Sequence, residues 1–364
     1  MPHGKINVGR FTYFVKVLLV ERRSPGQPSR MEELCSLART LGYEVKGKVE
    51  QIREPDPAYQ IGEGKAREVS EMVRKLGVQK VIFGNPLTAA QAFRLSQMFG
   101  VEVIDRLQLI LDIFAMRAGT PEAKLQVEYA RLRYELPRAR ERVRQLLSTE
   151  QPGRMGRGEY EVNIYYDTIR RRLTYLKRKL ADISKRRELK RKLRRRRGFR
   201  LVTLAGYTNA GKSTLLNALT HARAEVDNMM FTTLTTRTRA IKAAPNLLLT
   251  DTVGFIEDLP PWMVEAFKAT LEEIYLSDLV VLVLDCSDPL PELCRKAKSC
   301  LEILSRYGVK IIIALNKIDL LSPEELKTRI DFLNHSPYTF VPISAARGEN
   351  LEALMETIRQ KLLH

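Results

Sequence analysis

The spacing of apolar positions divides the chain into three parts. In the first part, short apolar runs alternate with segments of helical period, which predicts a small parallel sheet with helices around it. Strands are expected at Tyr13–Val20, Gln79–Gly84 and Val101–Ile104, and helices at Arg30–Leu41, Lys65–Leu76 and Ala89–Phe99. We assign residues 1–119 to this N-terminal α/β domain.

From residue 120 the apolar residues recur at alternating steps of four and three, which is typical of a coiled coil. The first seam consists of Leu125, Tyr129, Leu132, Leu136, Ala139, Val143 and Leu146, and it contains Pro137, which predicts a kink. After a Pro- and Gly-rich break the seam returns at Tyr166, Ile169, Leu173, Leu176, Leu180 and Ile183. Residues 120–197 are therefore predicted to form an antiparallel helical hairpin.

The last part contains nearly continuous apolar runs, as expected for strands that are covered on both faces of a parallel sheet. They lie at Arg200–Ala205, Leu247–Thr250, Leu279–Asp285, Lys310–Leu315 and Phe340–Ile343. This pattern predicts a doubly wound α/β domain over residues 198–364.

Composition adds a localised charge to this picture. The 364-residue chain has a formal net charge of +18, and the segment Arg170–Arg200 alone holds 17 basic and 2 acidic residues. A polyanion is the natural partner of such a segment. A solvated helix face and a patch for anionic lipid are the alternatives. The length and density of the block disfavour the first, and the absence of a lipidation motif disfavours the second.

Two further observations concern the cellular compartment. Cys35, Cys286, Cys294 and Cys300 do not form the pattern of a disulfide framework, which favours a reducing environment. No apolar run approaches the length of a membrane span. We expect a cytoplasmic protein with no membrane partner.

The first chemical motif follows a predicted strand and opens a predicted helix. Residues 206–213 read GYTNAGKS and match the phosphate-binding pattern G-x-x-x-x-G-K-[ST]. Backbone N–H groups of such a loop surround the phosphates, Lys212 supplies a cation, and the Ser213 hydroxyl ligates magnesium. The predicted nucleotide-binding residues of this loop are Asn209, Ala210, Gly211, Lys212, Ser213 and Thr214.

Two more motifs follow later strands. In the sequence DTVG, Asp251 is placed to hold the magnesium ion and Gly254 to meet the γ-phosphate. In NKID, Asp319 can accept hydrogen bonds from the two guanine donors that adenine lacks, a pairing that penalises the wrong base heavily. Asn316 would tie this segment to the phosphate loop, and the Lys317 stem would cover the base. The segment Ser344, Ala345 and Ala346 fits a backbone contact to the guanine oxygen.

These motifs occur in order, each after a strand, and predict a GTP- and Mg²⁺-dependent enzyme. A switch threonine that senses magnesium and the γ-phosphate is expected within FTTLTT, residues 231–236, which offers four choices. Phe255 follows DTVG where Ras-type enzymes place a water-orienting glutamine, so slow intrinsic hydrolysis is expected. Packing of the switch is the alternative role of Phe255, and both roles are compatible.

With these motifs the chain resembles the HflX family of translation-factor-related GTPases over nearly its whole length. The phosphate loop GYTNAGKSTL, the segments DTVGFI and AFKATL, and the N-terminal stretches IDR, ILDIFA and AKLQVE carry the resemblance. The first switch departs from the family pattern F-A-T-L-D-P, although Thr233 aligns with its threonine. The resemblance thus makes Thr233 the third magnesium ligand and, with Lys212 and Gly254, a catalytic residue.

The resemblance implies a GTPase that binds ribosomes, chiefly the large subunit and its rRNA, and splits or rescues stalled ribosomes. We expect the protein to be a monomer off the ribosome. RNA contacts are expected at Arg194, Arg195, Arg196 and Arg197, and at Arg154 and Arg157 in the hairpin tip. Two alternatives remain open. One is an RNA-binding scaffold in which the nucleotide is structural. The other is a GTPase of ribosome assembly or of tRNA modification.

Overall fold

The computed structural model describes residues 5–8, 11–149, 157–220, 237–251, 254–255, 260, 262–263, 276–305, 308–333 and 337–363. The chain forms two compact units, Met1–Leu180 and Ala181–His364. The division into three domains at residues 119 and 197 stays a prediction. Among the described helices, none has the length and apolar character needed to cross a bilayer.

The first unit contains a parallel sheet. A hairpin of β1 (Lys5–Val8) and β2 (Phe11–Phe14) precedes it. Among the described residues the sheet has four strands in the order β4-β3-β5-β6. They are β3 (Lys16–Arg23), β4 (Glu44–Ile52), β5 (Lys80–Phe83) and β6 (Glu102–Asp105). The helices are α1 (Met31–Thr40), α2 (Glu63–Leu76), α3 (Ala89–Phe99) and α4 (Arg106–Arg117).

Sequence reasoning predicted this sheet but placed two strands imperfectly. The run predicted as one strand, Tyr13–Val20, is divided between β2 and β3, and β4 was missed. The predicted helices agree with α1, α2 and α3 within two residues at each end. The agreement is best for α3, because both of its ends carry capping residues. Thr88 and Gln91 form a capping box at its start, and Gly100 ends it with a φ of 68°.

Two long helices follow, α5 (Pro121–Thr149) and α6 (Arg157–Arg196), and α5 continues through Pro137. The Arg172 guanidinium of α6 binds the Glu128 carboxylate of α5, with Nε 2.7 Å from Oε1. Tyr165, earlier on α6, shares a cavity with Ala139, later on α5. The two helices are therefore antiparallel, as predicted. The second seam is buried at Ile169, Leu173 and Leu176.

The second unit contains a doubly wound sheet. Among the described residues it has six strands in the order β12-β11-β10-β7-β9-β8, all parallel except β8. The strands are β7 (Arg200–Ala205), β8 (Arg237–Ile241), β9 (Ala244–Asp251), β10 (Leu279–Asp285), β11 (Ile311–Asn316) and β12 (Thr339–Pro342). The helices are α7 (Lys212–Leu219), α8 (Leu290–Ser305), α9 (Pro323–Leu333) and α10 (Leu351–Leu363). Apolar clusters cover both faces, so the predicted fold class is confirmed.

Candidate functional site

The predicted motifs lie at one edge of the second sheet because they follow the carboxyl ends of parallel strands. The phosphate loop follows β7, Asp251 ends β9, and Asn316 ends β11. Ligands of open α/β sheets bind at this edge, outside the ends of the strands. We call the set of motifs at this position the carboxyl edge.

Two glycines allow the phosphate loop to pack without side chains. A Cβ atom on Gly206, whose φ is +143°, would lie 2.2 Å from the carbonyl oxygen of Val283. A Cβ atom on Gly211, whose φ is +92°, would lie 2.1 Å from Asn316 Nδ2. Both positions thus exclude any residue larger than glycine, and the loop curls directly against β10 and the end of β11.

Lys212, the first residue of α7, is 7% exposed. Its ammonium group donates hydrogen bonds to the carbonyl oxygens of Gly206, at 3.0 Å, and Tyr207, at 2.6 Å. Burial lowers the pKa of Lys212 below its ordinary value, and the nearby Asp251 carboxylate opposes this shift. The cation is therefore held inside the loop, close to where phosphate oxygens would lie.

Ser213 and Asp251 meet beside this lysine. The Ser213 hydroxyl donates a hydrogen bond of 2.8 Å to Asp251 Oδ2, and the aspartate is fully buried. Hard cations such as Mg²⁺ take oxygen ligands of this kind. The two donors predicted to hold magnesium are thus adjacent at the N-terminus of α7, and their chemistry fits that ion.

Gly254 and Phe255 connect the second motif to the phosphate loop. A Cβ atom on Gly254 would lie 2.8 Å from the backbone nitrogen of Thr208, so only glycine fits against the loop. The Phe255 N–H donates a 2.9 Å hydrogen bond to the carbonyl oxygen of Gly206. The Phe255 side chain is 8% exposed and packs in an apolar cluster with Tyr207. This burial is the geometry expected of a packing residue.

Asn316 links three motifs through one side chain. Its Nδ2 donates to the carbonyl oxygen of Ala210 at 2.8 Å, and its Oδ1 accepts from the Ala345 N–H at 2.9 Å. The residue is 2% exposed. Asn316 therefore fixes the phosphate loop relative to both segments that were predicted to recognise guanine, as the sequence suggested.

The predicted guanine segments lie next to each other. Lys317 has a φ of 70°, and its ammonium group forms an ion pair with the Asp285 carboxylate. Asp319 lies in a short 3₁₀ turn and has Arg347 Nε 3.7 Å from its Oδ2. Ser344 is buried, and its hydroxyl accepts a 3.1 Å hydrogen bond from the Arg347 N–H, which shapes the loop that carries Ala345 and Ala346.

Several predicted residues lie outside what the structure describes. Thr233 and Arg154 belong to the undescribed segments, and only the backbone of Arg157 is described, as part of α6. The assignments of these three residues stay predictions.

The basic segment at the end of α6 is exposed, but one of its arginines forms an ion pair. Arg194, Arg196 and Arg197 are exposed residues. Arg195 instead binds Asp278, with Nη2 2.9 Å from Oδ1, and Arg200 approaches the same oxygen at 3.3 Å. At least one of the four arginines predicted to bind RNA thus has a structural partner within its own unit.

Sequence reasoning missed three residues that shape these two regions. Asp285, the partner of Lys317, ends an apolar strand, and that position at the carboxyl end of a parallel strand could have revealed it. Arg347 and Asp278 lie in irregular segments and belong to none of the predicted motifs, so no sequence pattern indicated them.

Comparison with family models gives three consecutive matches. A model described as GTP-binding GTPase N-terminal matches residues 28–115, and one described as GTP-binding GTPase Middle Region matches residues 117–194. A model described as 50S ribosome-binding GTPase matches residues 201–317. Together these ranges extend into both compact units and contain the motifs of the carboxyl edge up to Lys317.

Curated relatives match over almost the whole chain. GTPase HflX of Methanocaldococcus jannaschii is 45% identical over 349 residues, which cover 95% of this chain and 86% of the relative. GTPase HflX of Thermococcus kodakarensis is 44% identical, with 96% and 81% covered. GTPase HflX of Escherichia coli is 36% identical, with 91% and 79% covered.

Solved structures give the same result at the level of the fold. The SsGBP–GDP complex is 28% identical, with a TM-score of 0.56 and coverage of 94% of this chain and 97% of that chain. A GTP-binding protein of Sulfolobus solfataricus in complex with GDP is 28% identical, with a TM-score of 0.52 and coverage of 95% and 98%.

Proposed function

Because this chain belongs to the HflX family of GTPases, which hydrolyse GTP, we propose that its GTP cycle controls attachment to the ribosome. The observation that carries the proposal is the link made by Asn316. One buried amide joins the phosphate loop at Ala210 to the guanine segment at Ala345, so both ends of a guanine nucleotide are recognised by one connected framework.

We assign phosphate binding to the N–H groups of residues 209–214 and to Lys212. These groups are held in place before substrate binds, and preorganised donors stabilise the charge that develops during phosphoryl transfer. Gly254 contributes close backbone approach to the γ-phosphate. In this assignment the enzyme accelerates hydrolysis by positioning and charge stabilisation, because a buried phenyl ring at Phe255 cannot orient the attacking water by hydrogen bonding.

Magnesium belongs to the same proposal. Ser213 and Asp251 supply two adjacent oxygen ligands, and Thr233 is assigned from the sequence as the third. When bound, the ion neutralises charge on the β- and γ-phosphates.

Guanine recognition is assigned to Asp319, whose carboxylate accepts from two donors that adenine lacks. Lys317 has its ammonium group fixed by Asp285, which leaves the aliphatic stem to cover the base. The backbone contact to the guanine oxygen is assigned to the segment of Ser344, Ala345 and Ala346. Because the Ala345 N–H is bonded to Asn316, the N–H of Ala346 is the group assigned to donate, on the loop that Ser344 shapes.

The ribosomal partner is proposed to be the large subunit and its rRNA, with splitting or rescue of stalled ribosomes as the outcome. Two observations support this: the match of residues 201–317 to the 50S ribosome-binding GTPase family, and the 17 basic residues between Arg170 and Arg200. A dense basic segment contributes sequence-independent affinity for phosphate backbones. The enzyme is proposed to be a monomer when it is not on the ribosome.

Sedimentation with purified ribosomal subunits tests the proposal. The protein is mixed with each subunit in the presence of a non-hydrolysable GTP analogue, GDP or no nucleotide, and the pelleted fraction is measured. We expect the large subunit to retain the protein best with the analogue, and the variant Lys212→Ala to lose nucleotide binding and this dependence together. Equal pelleting in all three states would instead support an RNA-binding scaffold with structural nucleotide.

A further inference from the structure

A second cavity lies at the opposite edge of the second sheet, where its strands begin. It measures about 260 Å³ and is lined by the end of α6 and by the starts of β7 and β10 together with β9. In a parallel sheet the amino ends of strands lie at the edge away from the carboxyl ends. We call this cavity the amino-edge pocket. It is separate from the nucleotide site, which lies at the carboxyl edge.

The inner wall of the amino-edge pocket is apolar. It is formed by Phe199, Leu201, Leu248 and Leu276, and Leu276 is 43% exposed. The position of Phe199 is fixed by the way α6 ends. Gly198 has a φ of +79°, and the Phe199 N–H donates a 3.2 Å hydrogen bond to the carbonyl oxygen of Arg194, which is the Schellman pattern of a helix terminus. An aromatic ring is thereby held beside the cavity.

The rim of the pocket is basic. Arg195 and Arg200 bind Asp278, and Lys192 binds Glu188, so these residues neutralise the two acids that line the cavity. Arg191 and Arg194 remain as further rim cations. Among the residues that the structure describes, the Nη1 atom of Arg191 is buried and has no hydrogen-bond partner. A buried cationic donor without a partner costs free energy unless a ligand supplies the acceptor.

We propose that the amino-edge pocket binds one unpaired nucleotide of a single-stranded RNA segment. The base would lie against Phe199 and Leu276, and the adjoining phosphate would accept hydrogen bonds from Arg191 and Arg194. This inference rests on the RNA partner of the proposed function and locates one of its contacts.

Charge and shape both favour RNA as the occupant. Single-stranded RNA is recognised by stacking of splayed bases on aromatic rings or arginine planes, together with cationic groups that follow the backbone. The pocket combines these elements at the end of a segment that carries most of the net charge of the chain. An acidic peptide would satisfy the arginines but would leave the apolar wall without a flat partner.

A pair of oligonucleotides separates base binding from phosphate binding. We would measure the affinity of the full chain for a short single-stranded oligoadenylate and for a strand of equal length with ribose and phosphate but no bases. Leu276→Asp places a charge on the apolar wall, and Leu363→Asp is its control because Leu363 is exposed and does not line the pocket. GDP affinity and thermal melting establish that both variants are folded.

The expected result is a larger loss for the strand with bases. Leu276→Asp should weaken oligoadenylate binding by about fivefold to a hundredfold more than it weakens binding of the abasic strand, since stacking of one base contributes ~1–3 kcal/mol, whereas the new carboxylate repels the phosphates of both strands alike. Arg194→Ser should weaken both strands more than Arg196→Ser, a matched change on the same segment outside the pocket. Unaltered oligoadenylate binding by Leu276→Asp, or equal losses for both strands, would overturn the proposal.

Three further outcomes identify what has failed. If the parent chain binds a polyglutamate peptide more tightly than oligoadenylate, and Leu276→Asp releases the peptide, the occupant is a protein and the RNA assignment is wrong. If the parent sediments with ribosomal subunits while Leu276→Asp behaves as the parent on every strand, the pocket fails and the proposed function stands. If the parent sediments with neither subunit, the proposed function itself fails.

Discussion

The two edges of the second sheet differ in how their polar groups are arranged. At the carboxyl edge the key side chains are buried and each holds a specific partner, as Asn316 does with Ala210 and Ala345. At the amino edge most cations are exposed on the surface of α6. Loss of one partner from a buried hydrogen bond costs ~1–3 kcal/mol, whereas an exposed ion pair contributes ~0–1 kcal/mol. Single substitutions should therefore have large effects at the carboxyl edge and small, salt-dependent effects at the amino edge.

The largest effect is expected at Asp319. Asp319→Asn replaces a hydrogen-bond acceptor with a donor at one oxygen, so GTP affinity should fall and xanthosine triphosphate affinity should rise. Sites that depend on such a hydrogen bond discriminate by about 10⁴-fold, and we expect the ratio of the two affinities to change by a factor of that order. Competition binding with both nucleotides measures the ratio, with Asp331→Asn on α9 as the control. Unchanged GTP binding would show that another residue recognises the base.

Phe255 should give the next largest effect. Phe255→Ala removes a buried ring from the cluster around Tyr207, and such truncations reduce the free energy of unfolding by ~3–5 kcal/mol. Turnover should change much more than GDP affinity, because GDP lacks the γ-phosphate that this segment is proposed to meet. Phe255→Leu keeps most of the apolar volume and should recover stability. Single-turnover hydrolysis, GDP titration and melting of both variants measure these effects. Equal losses of turnover and GDP affinity would make Phe255 a packing residue only.

Asn316 tests the link between the motifs of the carboxyl edge. Asn316→Ala removes the bonds to Ala210 and Ala345 together, so the phosphate loop and the guanine loop lose a shared support. We expect GDP affinity to fall by about fivefold to a hundredfold, in line with ~1–3 kcal/mol for buried partners left unpaired. Calorimetric titration measures it, and Asn246→Ala, at an exposed position of β9, is the control. If both variants bind GDP as the parent does, the link has no role in the site.

The carboxyl edge was also the region that the sequence predicted best. Its motifs have a fixed spacing of residue types within a few consecutive residues, such as the two glycines, Lys212 and Ser213 in the phosphate loop. Its strands are buried on both faces and appear as continuous apolar runs. Both signals are local, so one sequence was sufficient to find them.

The features that were missed depend on contacts between distant segments. The strand β4 reads EVKGKVEQI and has many charged residues, so its extended form depends on pairing with β3 along Lys16–Arg23. The edge strand β8 was missed for the same reason, since it reads RTRAI. The pocket at the amino edge is formed by α6 and three strands that are far apart in the chain, and no spacing of residues predicts it.

Asp278 is the exception to this contrast, because it lies at the amino edge and its side chain is only 8% exposed. Although burial acts to raise its pKa, the N–H of Leu201 and the guanidinium of Arg195 hold the pKa below its ordinary value. The stabilisation that results is complete above the pKa of an unfolded aspartate, about 3.9, and is lost as the pH falls through the lowered pKa of the folded protein.

Asp278→Asn should therefore reduce the free energy of unfolding by ~1.5–3 kcal/mol at neutral pH, the range for a hydrogen bond to a charged group. The difference between parent and variant should disappear in acid. Urea unfolding across a pH series measures it, with Asp182→Asn, at an exposed position of α6, as the control. A difference that is independent of pH would mean that the shape of the side chain, and not its charge, is what stabilises this edge.

The smallest effect for each substituted residue is expected in the run of arginines at the end of α6. Changing Arg194, Arg196 and Arg197 to Ser leaves the bond between Arg195 and Asp278 intact, whereas changing all four arginines removes it. Both variants should bind RNA or ribosomes more weakly. Each lost phosphate contact should flatten the plot of log affinity against log salt concentration by ~0.7–0.9, because fewer counterions are released. Filter binding at several salt concentrations measures the slope, with GDP affinity as the internal control.

The two variants should differ in stability by no more than ~1 kcal/mol, since the Arg195 side chain is largely exposed and an exposed pair contributes little. RNA binding that falls only in the fourfold variant would mean that Arg195 acts through Asp278 and the shape of the pocket. An unchanged salt slope in both variants would mean that the four arginines are a solvated linker. The hairpin tip, with Arg154 and Arg157, would then be the place where the chain contacts RNA, and the amino edge would differ from the carboxyl edge in having no ligand at all.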